Sequence, residues 1–169
     1  MPRNLLSLAF AVGGFGAFLA VMAATYQQLP LRVASHFGAD GVANGWSSRE
    51  SYAWTLIVVL TAVTLMMAGT AALVRITPTN LVNLPHREYW LAPERREATI
   101  AAMERFGFVM AGLTSLLFLA IHLLTVAANK SQPAVLSSAV WWLLGAFLSA
   151  TGAMVFLLYR RFSRLPPGS

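Results

Sequence analysis

Four uninterrupted apolar stretches, separated by segments rich in Arg, Pro and Gly, set the pattern of this chain. They cover about residues 5–25, 52–74, 106–128 and 136–159, and none contains a charged side chain. Each is long enough, as a helix, to cross about 30 Å of hydrocarbon, which takes about 20 residues. A backbone in lipid must satisfy its polar groups internally, so each stretch is predicted to be a helix. The expected fold is all-α: a single four-span membrane domain over residues 1–169, built as a four-helix bundle.

Composition strengthens this picture. The chain is 57% hydrophobic and 11% charged, against roughly 25% charged in an ordinary soluble domain. Eighteen charged side chains (12 Lys and Arg, 6 Asp and Glu) cannot clothe a soluble surface of this size. A soluble globule and a disordered chain are both excluded. The net charge of +6 would suggest nucleic acid in a soluble protein. Here the basic residues flank the apolar runs, so they report membrane orientation instead. The absence of cysteine excludes disulfides, thiolate metal sites and cysteine nucleophiles. Arg3 and the small-residue stretch Val21-Met22-Ala23 give the first run some likeness to a signal peptide. Its apolar length, about 20 residues, exceeds the 7–15 of a signal core, and it is read as a true span.

Orientation follows from the cations. If the N-terminus is inside, nine arginines (Arg3, Arg75, Arg87, Arg95, Arg96, Arg105, Arg160, Arg161 and Arg164) lie on the cytoplasmic side. Arg32, Arg49 and Lys130 lie outside. Nine against three predicts both termini in the cytoplasm. Trp46, Trp54, Trp141 and Trp142 then mark the outer interface, and Tyr89, Trp90 and Tyr159 the inner one.

The outer loop between the first two spans, Tyr26 to Ser51, is expected to be ordered against the membrane. Pro30 stops the first helix. Leu31 to Phe37 reads as a short extended piece, and Gly38-Ala39-Asp40-Gly41 and Asn44-Gly45 as turns. Gly41 and Gly45 are expected at backbone angles closed to other residues. Phe37 and Trp46 are expected to cap the bundle mouth. In the inner loop, Pro93 suits the first turn of a helix, with Glu94 and Glu97 near its positive end. That helix is expected to run unbroken into the third span, preceded by an amphipathic cytoplasmic segment in which Tyr89, Trp90 and Leu91 anchor in the interface. Arg87, Glu88, Glu94, Arg95 and Arg96 read as a solvated belt facing lipid headgroups or as a docking site for a cytoplasmic partner. The tail from Arg160 to Ser169 reads as a basic anchor with a disordered end.

Two small-residue stripes, Ala9-Gly13-Gly16-Ala20-Ala24 and Gly145-Ser149-Gly152, are expected to be packing seams within the bundle, the alternative being a homo-oligomer. The third span carries the most informative face. Ser115, His122, Thr125 and Asn129 fall within about 80° of one another on a helix. His122 is an ionisable group within a span, which marks a functional hypothesis. It is read either as a neutral ring bonded to a threonine or carbonyl of a neighbouring helix, or as a proton, metal or ligand group. Convergence of His36, Asp40 and His122 on a divalent metal is a further option, since two imidazoles and a carboxylate suit such an ion. No cofactor is required by the sequence.

Catalytic motifs are missing. The chain has no His-Glu-x-x-His, no Gly-x-Ser-x-Gly, no phosphate loop and no dinucleotide fingerprint. Ser115 and His122 lie about 10 Å apart along a helix, too far for a nucleophile and its base. All six acids lie outside the spans, unlike those of a pump or exchanger.

A resemblance enters through the two loops. The outer loop reads Tyr26-Gln27-Gln28-Leu29-Pro30, then His36-Phe37-Gly38, Gly41 and Gly45-Trp46. The inner loop reads Asn83-Leu84-Pro85-His86, then Tyr89-Trp90-Leu91-Ala92-Pro93-Glu94-Arg95-Arg96. The pattern resembles a bacterial membrane family defined as a domain of unknown function, and is similar to the N-terminal half of SdpI-type immunity proteins. The resemblance implies a multi-pass protein of the bacterial inner membrane. Together with the missing catalytic sets, the motif-bearing outer loop leads to the expectation of a non-enzymatic, SdpI-like immunity, sensor or accessory role, in which Tyr26, Pro30, His36, Phe37, Asp40, Gly41 and Trp46 meet an envelope or membrane protein partner. The alternatives are a small ion or solute conductor along the stripe around His122, and a metal-dependent membrane enzyme.

Overall fold

The computed structural model describes residues 4–165. Arg3, assigned to the inside by the charge count, and the last four residues of the tail, 166–169, lie outside them. The chain is mostly helical. It runs α1 (Leu5–Thr25), β1 (Arg32–Phe37), β2 (Ala43–Ser48), α2 (Arg49–Ile76), α3 (Arg87–Trp90), α4 (Pro93–Ala128) and α5 (Ala139–Phe162). Four of the helices are long and apolar enough to cross a membrane.

The helix boundaries have local causes. Ser48 caps α2, its hydroxyl accepting from the Ser51 amide at 3.1 Å, with Glu50 in the first turn and Arg75 in the last. Pro93 opens α4, which continues unbroken for 36 residues as the proline and the acid pattern imply. The first helix ends at Thr25, and a single 3-10 turn over Tyr26–Gln28 carries the chain to Pro30. The fourth span starts three residues later than the apolar pattern indicates, at Ala139.

The arrangement departs from a symmetric bundle. α4 is the central helix, with α1 and α2 packed along it and α5 touching it more loosely. Within α5 the one buried residue is Phe162, at its far end. The expected small-residue seams are not the packing faces. Ala9, Gly13, Gly16, Ala20 and Ala24 are exposed, as are Gly145, Ser149 and Gly152. The buried side of α1 is Ser7, Gly14, Phe18 and Met22. Gly14 lies against Gly112 of α4, where an added Cβ would meet the Gly112 carbonyl at 3.2 Å. Phe10 covers Gly112, and the Met67 carbonyl of α2 closes on Gly107. Without a hydrophobic force between helices in lipid, such close approaches hold them together. Gly107→Ala is therefore expected to lower stability by about 1–3 kcal/mol, because the methyl group collides with backbone and not with a movable side chain. Detergent unfolding curves check this; an alanine variant as stable as the wild type contradicts it.

The loop between α1 and α2 corrects the all-α expectation. The extended piece begins at Arg32, not Leu31, runs to Phe37 and pairs with a second strand. The register sets Arg32 opposite Ser48 and Ala34 opposite Trp46, and it shifts around His36. Asn44 and Gly45 lie within β2 and form no turn. The turn is at 38–41, closed by the Gly41 amide on the Gly38 carbonyl at 2.9 Å. Gly41 has φ +81°, which side chains other than glycine rarely adopt. Gly45 has no such angle; its need for glycine is steric, because a Cβ there would press on the His36 Cβ. The segment before α5 joins the hairpin. The Leu136 amide donates to the Gly41 carbonyl at 2.8 Å, and the Ala43 amide to the Ala134 carbonyl at 3.2 Å.

At the opposite end the helices are latched together. Arg75 of α2 reaches Glu97 and Glu104 of α4, both at 3.0 Å. Hydrogen bonding to Glu104 first and Glu97 second pushes the Arg75 guanidinium above its usual range. Asn4 adds a bond to Glu104 at 3.1 Å and so ties in α1.

Candidate functional site

The polar face predicted on the third span is buried within the molecule. Ser115, His122 and Thr125 are buried and Asn129 is half-buried, all on the α4 side that receives α1, α2 and β1. Around them lies the apolar core of Phe18, Met22, Leu29, Val33, Tyr52, Leu60 and Val126. His122 has no solvent exposure.

The hydrogen bonds around His122 fix its tautomer. The Thr25 hydroxyl donates to the Val21 carbonyl at 2.7 Å, so its oxygen is left to accept from the ring Nε2–H, also at 2.7 Å. Nδ1 then carries the lone pair and accepts from the Tyr52 hydroxyl at 3.1 Å. The chain of bonds runs Tyr52 to His122 to Thr25 to the α1 backbone, joining α2, α4 and α1. Tyr52 stacks on the imidazole with centroids 5.9 Å apart, and Phe18 meets it edge-on at 6.3 Å. Each polar atom in the relay has a partner, as burial requires. This is a neutral, fully bonded tether between helices. Ser115 bonds back to the Ala111 carbonyl at 2.8 Å and Thr125 to the Ile121 carbonyl at 2.9 Å. Ser115 does not extend the relay, whereas Thr125 lies within hydrogen-bonding reach of the Tyr52 hydroxyl.

About two turns above His122, Asn129 performs a separate task. Its side-chain oxygen accepts from the Ala34 amide at 2.8 Å and its nitrogen donates to the Ala34 carbonyl at 3.0 Å. The side-chain amide thus pairs with β1 as a neighbouring strand would. The same nitrogen also reaches the Thr125 carbonyl at 2.9 Å. Val33 and Ala34 are buried beneath the hairpin. They close the top of the helices, where Phe37 and Trp46 were expected to do so. Phe37 lines a cleft of about 340 Å³ between the turn and the start of α5. Trp46 is half exposed and lies under the Arg32 guanidinium at 5.4 Å.

The other outer-loop candidates separate. Tyr26 lies beneath the Arg49 guanidinium at 5.4 Å, and Arg49 also donates to Gln27 at 2.7 Å. Pro30 is exposed. Asp40 accepts from the Val42 amide at 3.0 Å and shapes the turn. The His36 Nδ1–H donates to the Asn44 side-chain oxygen on the facing strand. His36, Asp40 and His122 do not assemble. Among the described residues no three His, Asp or Glu side chains come close enough to hold a metal, and both His122 nitrogens are taken by hydroxyls. The expected convergence fails because Val33 and Ala34, not His36, face the helices.

The second loop block is a latch more than a solvated belt. Trp90 donates from its indole to the Phe162 carbonyl at 2.9 Å and packs edge-on against the Phe162 ring. Leu91 is buried. Arg95 stacks on Tyr89 at 3.9 Å and bonds the Tyr89 carbonyl. Arg96 donates to the Val74 and Arg75 carbonyls at 3.0 and 3.2 Å, satisfying the open end of α2. His86 takes a left-handed conformation, φ 49°, and lies 3.3 Å from the Ser163 carbonyl. Pro85 is half-buried, while Asn83 and Glu94 are exposed. The indole and imidazole therefore hold the end of α5.

Thr25 and Tyr52 are the partners that reading along the chain missed. Depth would have found them. Thr25 ends α1 and Tyr52 lies in the first turn of α2, so both lie at the hairpin end. His122 lies about 9 Å below the end of α4 at Ala128, on the same level.

Four apolar membrane-length helices and this buried polar tether define a multi-pass membrane protein. A family model described as a domain of unknown function, DUF1648, matches residues 14–66. The match starts at the Gly14 contact, takes in Phe18, Thr25, the whole hairpin and Tyr52, and ends within α2. No curated protein and no solved structure matches the chain.

Proposed function

We propose that this is a non-enzymatic protein of the bacterial inner membrane that binds an envelope partner through its hairpin. The SdpI-like immunity or sensor role implied by the loop motifs is the form this reading takes. Both termini lie in the cytoplasm, following the excess of arginine at the end away from the hairpin. The carrying observation is that the hairpin is held rigidly from below by Asn129 while its upper side is left open. Arg32, His36, Asp40 and Trp46 are exposed there, on a backbone whose ordering cost is met within the fold. A Trp beside an Arg is a composition enriched where interfaces concentrate their energy. Conduction past His122 receives no support from a buried ring with both nitrogens bonded.

The test is in-cell photo-crosslinking from positions 36 and 46, with position 142 on the lipid-facing side of α5 as control. A discrete adduct from the hairpin positions and none from position 142 is expected. Trp46→Ala should reduce adduct formation from position 36 about tenfold or more, with insertion unchanged. No adduct from either hairpin position, or equal adducts from all three, would overturn the reading.

A further inference from the structure

The groove between α4 and α5 has a polarity that the partner-binding role does not use. α5 leans on α4 loosely and leaves an open slot of about 270 Å³ between the two helices. Its walls are apolar: Phe106 and Val109 from α4, Met154 and Leu157 from α5. Two guanidiniums, Arg105 and Arg161, stand at one end. The same two arginines line a small adjoining cavity beside Asn4 and Ala101, so they face one space from two helices.

Among the described residues neither arginine forms an ion pair; those present are Arg75 with Glu97 and Glu104, and Arg87 with Glu88. The carboxylate nearest in sequence, Glu104, is held by Arg75 and Asn4. Arg161 lies over the Phe162 ring at 5.6 Å. The position of the pair along the helices matters. From Arg161 back to Met154 is seven residues, about 10 Å of helix rise, so the cations cap an apolar slot several methylenes long. Lipid phosphates lie where apolar helix gives way to charged residues, and basic pockets between helices suit anionic headgroups.

We propose that Arg105 and Arg161 bind the phosphate of an anionic phospholipid whose acyl chain lies in the slot between α4 and α5. The lipid fills the gap that the two helices leave. A soluble anion would use the arginines and ignore the slot. A second helix would need the arginines neutralised by its own acids.

Native mass spectrometry of the detergent-solubilised protein, offered equal phosphatidylglycerol and phosphatidylcholine, tests this. One basic residue near a headgroup gives roughly a fivefold preference, so the pair should favour phosphatidylglycerol about 25-fold. Arg105→Gln with Arg161→Gln should bring the ratio close to one. Arg164→Gln, which removes a charge beyond the groove, should leave it unchanged. Val109→Trp keeps both cations and blocks the slot, and should remove most bound phosphatidylglycerol; Arg161→Gln alone should cut the preference about fivefold if the double variant fails to fold. Equal retention of the two lipids by the wild type, full retention by Val109→Trp, or displacement of the lipid by inorganic phosphate alone would each overturn the proposal.

Discussion

Replacing His122 by alanine is expected to lower the stability of the folded protein by about 3–5 kcal/mol, through two effects. Removing a fully buried ring opens a cavity beneath Tyr52 and Phe18, which large-to-small changes place at about 2–4 kcal/mol. It also strips the Tyr52 hydroxyl and the Thr25 oxygen of their partner. In lipid this second loss is modest, about 0.6 kcal/mol per bond on average, because the unfolded chain finds other partners. Tyr52→Phe isolates it: the stacked ring stays and only the bond to Nδ1 goes, so about 0.5–1 kcal/mol is expected. Unfolding of the wild type and both variants in mixed micelles measures the difference. A His122→Ala variant within 0.5 kcal/mol of wild type, on the order of ordinary surface changes, would show that the relay does not hold the helices.

Replacing Asn129 by leucine should free the hairpin while leaving the helices in place. Leucine is close to asparagine in shape but cannot pair with β1, so the Ala34 amide and carbonyl lose their partners together. Two buried backbone groups left unsatisfied cost about 2–4 kcal/mol locally. Amide exchange at Ala34 should then speed by roughly 30-fold or more. Asn129→Asp separates the two halves of the clamp, because a carboxylate still accepts from the Ala34 amide but cannot donate to its carbonyl. Its exchange should fall between wild type and leucine. Unaltered exchange in Asn129→Leu would mean that the pairing with Ser47 and Trp46 alone suffices to fix β1.

The existence of the helices was legible because it rests on length and apolarity, which lipid imposes residue by residue. The unbroken α4 was legible too, from Pro93 and the acids of its first turn. Which faces meet was not. Glycine stripes are evenly spaced on α1 and α5, yet the contacts fall on Gly14, Gly107 and Gly112, chosen by the shape of Phe10 and the path of α2. The second strand, Ala43–Ser48, has little strand propensity and holds an Asn-Gly pair that usually turns; pairing with β1 and the Ala134 carbonyl overrides that preference. The polar face of α4 was visible as a face. Its partners came from other helices, and only the depth of Thr25 and Tyr52 linked them to His122. The belt of charges around Arg95 and Arg96 looked solvated because a sequence does not show that the carbonyls of Val74 and Arg75 need donors.

The hairpin reading depends on which side of the membrane the hairpin occupies. The chain has no cysteine, so single cysteines report sidedness without background. Ala39 at the hairpin turn and Glu88 on α3 are both exposed and lie at opposite ends of the molecule. With a membrane-impermeant maleimide on intact spheroplasts, Ala39→Cys should label fully and Glu88→Cys only after the membrane is opened. Labelling of Glu88→Cys in intact spheroplasts, with Ala39→Cys protected, would place the hairpin in the cytoplasm and contradict the account.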